Sequence, residues 1–263
     1  MLRAGVGFNR KTRIFITHMH GDHCLGLPGI MMTMSLLGRD KKLQIYGPPG
    51  LTSFVEAVRE TIGFGLTYPV EIYEIEGEGV ICNGDGYTVE ACYTNHKGVS
   101  FGYALIEKER PGVFYPEKAR ALGVPEGPLW SKLQHGFPVS LPDGRTIEPH
   151  QVTGPKRPGR KIVYTGDTRP SKNILHLAKD ADLLIHDGTL DDSLEETAEL
   201  EGHSTPSQAA RIAKEAGVKK LILTHISARY RSTEVLAEQA RKIFPNTEVA
   251  EDLMMIKVPL AES

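Results

Sequence analysis

The chain has 263 residues, 40% of them hydrophobic, which suffices for one large domain or two small ones. Its formal net charge of −2 provides no global basic field for nucleic acid, so any RNA must be met by a local basic patch. The three cysteines lack zinc-finger spacing and suit a reducing compartment, and no apolar run is long enough to span a membrane. We therefore expect a cytoplasmic protein with no signal peptide and no membrane partner.

Helical periodicity alternates with short apolar, β-branched runs along the chain. Helices are predicted over Leu25–Leu37, Leu51–Ile62, from Pro206 (with Ser204 or Thr205 as N-cap) to about Ala216, and over Thr233–Ile243. Strands are predicted over Arg13–Thr17, Leu43–Tyr46, Val70–Ile75, Gly79–Cys82, Tyr87–Tyr93, Ser100–Ile106, Lys161–Tyr164, Ala181–Ile185, Lys219–Thr224, Glu248–Ala250 and Met254–Val258. This alternation predicts a layered α/β architecture with sheets at its centre.

Residues 107–161 differ from the rest of the chain in composition. They contain many prolines and glycines and few apolar alternations. Ten basic side chains stand against six acidic ones there, although the whole chain is negative. This excess of four favours a protruding segment that contacts phosphates. On charge alone, an ordinary solvated loop explains the composition equally well.

A dense group of potential metal ligands follows the first predicted strand, in the stretch Thr17-His18-Met19-His20-Gly21-Asp22-His23. Alternation along an extended chain puts His18 and His20 on one face. Gly21 then lets the backbone turn, so Asp22 and His23 can face a second position. From spacing alone, we expect the first pair to bind one metal ion and the second pair another. Imidazole and carboxylate together suit zinc, and also manganese or iron.

Polar side chains of the same kinds end several other predicted strands. Asp167 follows the strand that ends at Tyr164, His186 and Asp187 follow Ile185, His225 follows Thr224, and His96 follows the strand that ends at Tyr93. Binding sites of α/β sheets gather where strands end. The sequence therefore predicts that these residues share one site.

These motifs carry a resemblance to a known family. The run from Ile14 to His23, followed by Gly26-Leu27-Pro28-Gly29, resembles the signature of the tRNase Z family, the tRNA 3′-end processing endonucleases with a metallo-β-lactamase fold. The resemblance implies an α/β fold of the αββα four-layer sandwich type, formed as a single domain over residues 1–263. It also implies two Zn²⁺ ions per chain, with Mn²⁺ as the other possible metal.

The resemblance assigns ligands and roles residue by residue. His18, His20, His96 and Asp167 match the ligands of one zinc, and Asp22, His23, Asp167 and His225 match those of the other. Asp22 would also orient the attacking water or accept its proton. His203, in Gly-His-Ser-Thr, matches the histidine that protonates the leaving 3′ oxygen. Asp187 matches the acidic residue that orients this histidine, at a position where the family usually has Glu, and we expect His186 to be structural.

The family also carries an exosite arm that grips tRNA, and residues 107–148 correspond to it. Gly127-Pro128 matches its Gly-Pro motif. Lys118 and Arg120 match a loop that places the acceptor end, although Ala121 stands where Asn is usual. Arg229 belongs to the matching C-terminal motif, His225–Tyr230. The resemblance thus implies precursor tRNA as the partner, contacted by these residues, and a homodimer.

One departure from the family concerns the start of the chain. Its members have strands upstream of the metal motif, including a Phe-Leu-Gly-Thr segment, which is absent here. Met1-Leu2-Arg3 resembles the end of the helix that follows those strands. We expect the N-terminal sheet to lack its first strands and to present an open edge.

The resulting hypothesis is a zinc-dependent endoribonuclease that removes 3′ trailers from precursor tRNA and leaves a 3′ hydroxyl on the tRNA. One alternative is a phosphodiesterase or arylsulfatase of the same fold that acts on small substrates. A second alternative is a non-catalytic tRNA-binding remnant, although every candidate metal ligand is present.

Overall fold

The computed structural model describes residue 3 and residues 5–260, so the resemblance of Met1-Leu2 to a helix end lies outside the described residues. The chain forms two compact units. Of the described residues, the first comprises those up to Leu105 and Lys161–Val258. The second comprises Ile106–Arg160 together with Pro259 and Leu260.

The strands of the first unit form two sheets. Among the described residues of both units, the strands in chain order are β1 (Thr12–Phe15), β2 (Leu43–Gly47), β3 (Val70–Glu74), β4 (Gly79–Asn83), β5 (Tyr87–Tyr93), β6 (Phe101–Glu107), β7 (Val139–Ser140), β8 (Thr146–Ile147), β9 (Lys161–Tyr164), β10 (Leu183–Asp187), β11 (Leu221–Thr224) and β12 (Thr247–Val249). Of these, β7 and β8 belong to the second unit. One sheet has the order β1-β2-β3 with all strands parallel, and β1 lies at its edge. The other has the order β12-β11-β10-β9-β6-β5-β4, in which β9 to β12 are parallel.

The helices confirm the four predicted segments and add shorter ones. They are α1 (Gly21–Cys24), α2 (Gly26–Leu36), α3 (Leu51–Ile62), α4 (Pro116–Ala121), α5 (Pro128–Gln134), α6 (Lys172–Ala178), α7 (Glu195–Glu201), α8 (Pro206–Glu215) and α9 (Glu234–Arg241). Thr205 caps α8 through a reciprocal bond pair with Gln208, which selects it over Ser204 as the N-cap. Within residues 5–260, no helix has the length and apolar character that crossing a membrane requires.

Two strand predictions are wrong at the chain's ends. The first strand ends at Phe15 rather than at Thr17, because the ligand-bearing segment leaves the ladder before the site. Residues 254–258 are irregular and not a strand, and Met255 is 94% exposed. The strand that pairs with β11 at this edge of the sheet is Thr247–Val249, which lies earlier in the chain.

Two apolar clusters explain the layers of the first unit. One joins α2 and α3 to the β1-β2-β3 sheet and is centred on Met31, Met34, Leu43, Ile45 and Leu51. The other holds side chains from both sheets, including Tyr46 from the small sheet and Val89, Phe101 and Tyr103 from the large one. On the far face of the large sheet, α6 packs on β5, and α8 on β10 and β11. The order helix, sheet, sheet, helix is the predicted αββα sandwich.

The second unit has a core of its own. Ala119, Leu133, Val139, Ile147 and Val152 are buried together, and β7 and β8 form a short hairpin. Its two ends meet, because Glu107 N donates to Arg160 O at 2.9 Å and the two side chains form an ion pair. The basic segment is therefore a folded unit and not a solvated loop, and its core spans more of the chain than residues 107–148.

Candidate metal centre

The topology of the first unit brings the candidate ligands to one edge of its sheets. Asp167 follows β9, Asp187 ends β10 and His225 follows β11, and these strands are parallel neighbours. His18 and His20 follow β1 in extended backbone, and α1 begins immediately afterwards at Gly21. This turn carries Asp22 and His23 back toward the same edge of the sheets.

A first group of ring nitrogens contains His18, His20 and His96. His18 Nε2 lies 3.0 Å from His20 Nδ1, which lies 3.2 Å from His96 Nε2. The three donor atoms face one another around a common point. His20 is the member that presents Nδ1 instead of Nε2.

A second group contains Asp22, His23, His225 and Asp167. His23 Nε2 lies 3.3 Å from Asp22 Oδ2 and 3.2 Å from Asp167 Oδ2. His225 Nε2 lies 3.6 Å and 3.3 Å from the same two oxygens. Asp167 Oδ2 also lies 3.7 Å from His18 Nε2, so this oxygen lies between the two groups. Asp22 has the most exposed side chain of this group, at 68%.

The donor set fits divalent metal ions. Four ligands around a tetrahedral zinc with bonds near 2.0–2.1 Å lie about 3.3 Å apart, close to the spacings observed in both groups. Two buried atoms, His23 Nε2 and Asp167 Oδ1, have no hydrogen-bond partner among the described residues, and a bound cation would be coordinated by their free lone pairs. Burial and the nearby charge of His23 lower the pKa of His18 to about 4, which keeps this imidazole neutral and able to ligate at pH 7.

Polar groups that the sequence analysis missed hold the histidine rings. The Thr17 hydroxyl lies 3.0 Å from His18 Nδ1 and 3.5 Å from His23 Nδ1. The Gly202 carbonyl, which can only accept, lies 2.8 Å from His96 Nδ1, so that nitrogen carries the proton and Nε2 faces the cluster. A signal for Thr17 was available, because threonine precedes the ligand motif at the strand end.

Gly202 has a backbone that no other residue would adopt without strain. Its φ is +95°, and a Cβ there would lie 2.8 Å from His96 Nδ1. The Arg169 guanidinium donates to the Glu199 carbonyl and pairs with the Glu199 carboxylate, which ties the end of α7 to the segment after Asp167. The backbone of this turn therefore sets the position of His96.

His203 lies beside the two groups and is oriented by Asp187. Its Nδ1 lies 2.8 Å from Asp187 Oδ2, and its ring stacks on His225 with centroids 5.0 Å apart. Burial lowers the pKa of His203, but the hydrogen bond and negative charge of Asp187 outweigh burial and leave this pKa above its ordinary value. The Asp side chain at position 187 thus reaches the histidine that it was predicted to orient.

The remaining predicted residues lie elsewhere. His186 is fully buried on β10 and its Nδ1 donates to the Asp187 carbonyl at 2.8 Å, consistent with a structural role. Arg229 is exposed, and its Nε donates to the Ser227 hydroxyl.

Lys118, Arg120, Gly127 and Pro128 belong to the second unit and are exposed. Lys118 Nζ lies 4.5 Å from the centroid of the Tyr115 ring, and Arg120 stacks over Trp130 while pairing with Glu126. Gly127 precedes α5 with a φ of +127°, and Pro128 is its first residue.

Comparison with known proteins gives a consistent result. A family model described as the beta-lactamase superfamily domain matches residues 138–226. The chain is 49% identical to ribonuclease Z of Methanosarcina acetivorans over 98% of its own length and 85% of the relative's. It is 45% identical to ribonuclease Z of Methanothermobacter thermautotrophicus over 100% and 85% of the two chains. The crystal structure of human tRNase Z, short form, matches with a TM-score of 0.69 at 28% identity, covering 98% of this chain and 83% of that one. The chain therefore has the metallo-β-lactamase fold and belongs to the ribonuclease Z family.

Proposed function

We propose that this chain is a metal-dependent endoribonuclease that removes 3′ trailers from precursor tRNA. The reaction hydrolyses one phosphodiester bond, leaving a 3′ hydroxyl on the tRNA and a 5′ phosphate on the trailer. Membership of the ribonuclease Z family supports the substrate. The observation that carries the chemistry is the convergence of seven ligand-type side chains in two groups, with Asp167 Oδ2 within 3.7 Å of donor atoms from both; they are His18, His20, Asp22, His23, His96, Asp167 and His225.

The metal requirement is proposed as two zinc ions per chain, with manganese as the other candidate. His18, His20, His96 and Asp167 would hold one ion, and Asp22, His23, His225 and Asp167 the other. When bound, such a pair supplies an acidified water and positive charge for the phosphate oxygens of an in-line displacement.

Two side chains of the protein would move the protons. The Asp22 carboxylate would accept a proton from the attacking water, since its exposed side chain can be reached by solvent and substrate. His203 donates a proton from Nε2 to the leaving 3′ oxygen, since its Nδ1 is engaged by Asp187. One proton is taken and one is given, so the hydrolysis is balanced.

The second unit is proposed as the exosite arm that binds tRNA, with Lys118, Arg120, Gly127 and Pro128 as contacts, and Arg229 as a contact on the first unit. The excess of positive charge in this segment supports that role. A homodimer and a cytoplasmic location complete the proposal. The three cysteines, which are buried and unpaired, are compatible with a reducing compartment.

The test is incubation of the purified protein with a precursor tRNA that carries a 3′ extension, with and without a chelator, alongside metal analysis. We expect chelator-sensitive cleavage with about two metal ions per chain. Full metal content without cleavage would refute the substrate. Cleavage that persists in the metal-free protein would refute the metal requirement, and tRNA binding without product would indicate a non-catalytic remnant.

A further inference from the structure

Thr189 lies two residues beyond Asp187 at the carboxyl end of β10, and it is 7% exposed. Its Oγ1 lies 2.7 Å from Asp187 Oδ1 and 2.9 Å from His225 Nδ1. The hydroxyl therefore stands between a carboxylate and one of the proposed metal-binding histidines. It belongs to the His-Asp-Gly-Thr motif that contains Asp187, but neither the sequence analysis nor the proposed mechanism gives it a role.

The hydrogen bonds of Asp187 fix the direction of this contact. Its Oδ2 accepts from Thr168 N and His203 Nδ1, and its Oδ1 accepts from Thr189 N and from the Thr189 hydroxyl. Four donors fill the acceptor sites of an ionised carboxylate. The single hydroxyl proton of Thr189 is thus directed to Asp187.

It follows that Thr189 Oγ1 acts as an acceptor toward His225. Nδ1 of His225 must then carry the ring proton, which leaves the Nε2 lone pair facing Asp22 and Asp167. This is the tautomer that a metal ion at Nε2 requires.

We propose that Thr189 is a positioning residue that connects His225 to Asp187, so that one carboxylate orients both the zinc ligand His225 and the proton donor His203. This inference rests on the proposed function, in which His225 binds zinc. Asp187 Oδ1 acts on His225 through the Thr189 hydroxyl, and Asp187 Oδ2 accepts a hydrogen bond directly from His203.

The other histidines are held differently, which makes the proposal specific. His18 and His23 contact the Thr17 hydroxyl, and His96 donates to a backbone carbonyl. A hydroxyl that donates its own proton to a carboxylate is a stronger acceptor than a hydroxyl without one, so it makes the imidazole a stronger ligand. Loss of the Thr189 hydroxyl should therefore weaken one zinc site and not both.

The experiment compares Thr189→Val, which removes the hydroxyl at constant shape, with Thr189→Ser, which keeps it. Zinc affinity is measured on each protein by competition with a chromophoric chelator, and the thermal midpoint is measured on the metal-free protein. We expect Thr189→Val to weaken one zinc equivalent by about 10- to 100-fold, and Thr189→Ser to stay within about threefold of the unaltered chain. The metal-free midpoints should differ little.

Several results would overturn the proposal. The proposal is wrong if Thr189→Val binds both zinc equivalents as tightly as the unaltered chain. It is also wrong if Thr189→Val lowers the stability of the metal-free protein without changing its zinc affinity. If circular dichroism shows that Thr189→Val does not fold, Thr189→Ala is compared with Thr189→Ser in the same titration. The titration uses zinc alone, so failure to cleave precursor tRNA would refute the proposed function without deciding this inference.

A second measurement tests the connection to Asp187. Asp187→Ala should weaken the same zinc equivalent, and the double variant with Thr189→Val should be no weaker than the more affected single variant. Fully additive losses would mean that the two side chains act on the site independently.

Discussion

The site at the strand ends and the second unit hold their functional side chains in opposite ways. In the site, His18, His96, His203 and His225 each have the ring nitrogen that faces away from the cluster engaged by a hydroxyl, a carbonyl or a carboxylate. In the second unit, the candidate RNA-binding cations are exposed and lie on aromatic rings. Bond hydrolysis needs the reacting groups of the protein at fixed positions. A phosphate backbone can be bound by charged side chains that adjust their positions to it.

The largest effect is expected for Asp22→Ala, which removes the exposed carboxylate of the site. Cleavage of precursor tRNA should fall by about 10³-fold or more, because the proposed proton acceptor is also a proposed metal ligand and both roles are lost together. Affinity for precursor tRNA, measured by electrophoretic mobility shift, should change less than about twofold. Equal losses of cleavage and affinity would contradict the separation between the two regions.

His203→Ala should give the next largest effect. Single-turnover cleavage should fall by about 10²- to 10³-fold, the usual contribution of a general acid. Zinc content should stay unchanged, because this side chain is proposed to deliver a proton and not to bind metal. A variant that has lost zinc would instead make His203 a ligand, and metal analysis of the purified protein distinguishes the two.

Removal of the second unit tests whether tRNA binding and bond hydrolysis belong to different regions of the molecule. Residues 108–159 are replaced by a short Gly-Ser linker between Glu107 and Arg160, whose backbones are already hydrogen-bonded. Precursor tRNA should bind about tenfold more weakly or worse, since the positive charge of the unit is lost. Hydrolysis of a small phosphodiester should continue at a similar rate. If both activities disappear together and zinc is lost, the unit supports the structure of the site.

Gly202→Ala should have a smaller effect that is concentrated at the site. The strain of a positive φ costs about 1–3 kcal/mol, and the new Cβ presses on His96. Gly63→Ala is the matched control, because Gly63 also has a positive φ, +71°, with open space around it. Both variants should lose stability in chemical denaturation, but only Gly202→Ala should lose zinc affinity.

The smallest effect is expected for Glu126→Gln, which breaks the exposed ion pair with Arg120. The free energy of unfolding should change by less than about 1 kcal/mol. Precursor tRNA should bind about two- to threefold more tightly than to the unaltered chain at low salt, because the positive charge of Arg120 is no longer neutralised by Glu126. At high salt the two proteins should bind it equally. Asp143→Asn adds the same charge at the pair with Arg145. Equal gains from both variants would mean that Arg120 has no special contact with RNA.

The sequence predicted the site better than it predicted the second unit. Strand-end patterns and the family motif identified the histidines and aspartates, and the structure brings all nine of the metal and catalytic candidates together. The patterns did not identify Thr17, Thr189 and Gly202, because a sequence does not show which histidine ring each of them contacts. The contacts of Thr189 with His225 and of Gly202 with His96 join residues 36 and 106 positions apart. A threonine near a ligand motif is visible in a sequence, but the nitrogen that it contacts is not.

The second unit was the less predictable region for a physical reason. Its elements are short: the helices have six and seven residues, and each strand of the hairpin has two. Hydrophobic periodicity is recognised only over longer windows of sequence. Its core becomes apparent only when Val152 packs against Leu133, nineteen positions earlier in the chain. Composition therefore described its charge correctly and could not describe its fold.

Gly202 and His203 are consecutive residues, so they move together when this turn moves. The carbonyl of the first supports His96, and the side chain of the second is the proposed proton donor. Any displacement of this turn moves the proposed metal ligand His96 and the proposed proton donor His203 together. A substrate that shifts the turn would therefore alter the proposed metal site and the proposed protonation of the leaving group at the same time.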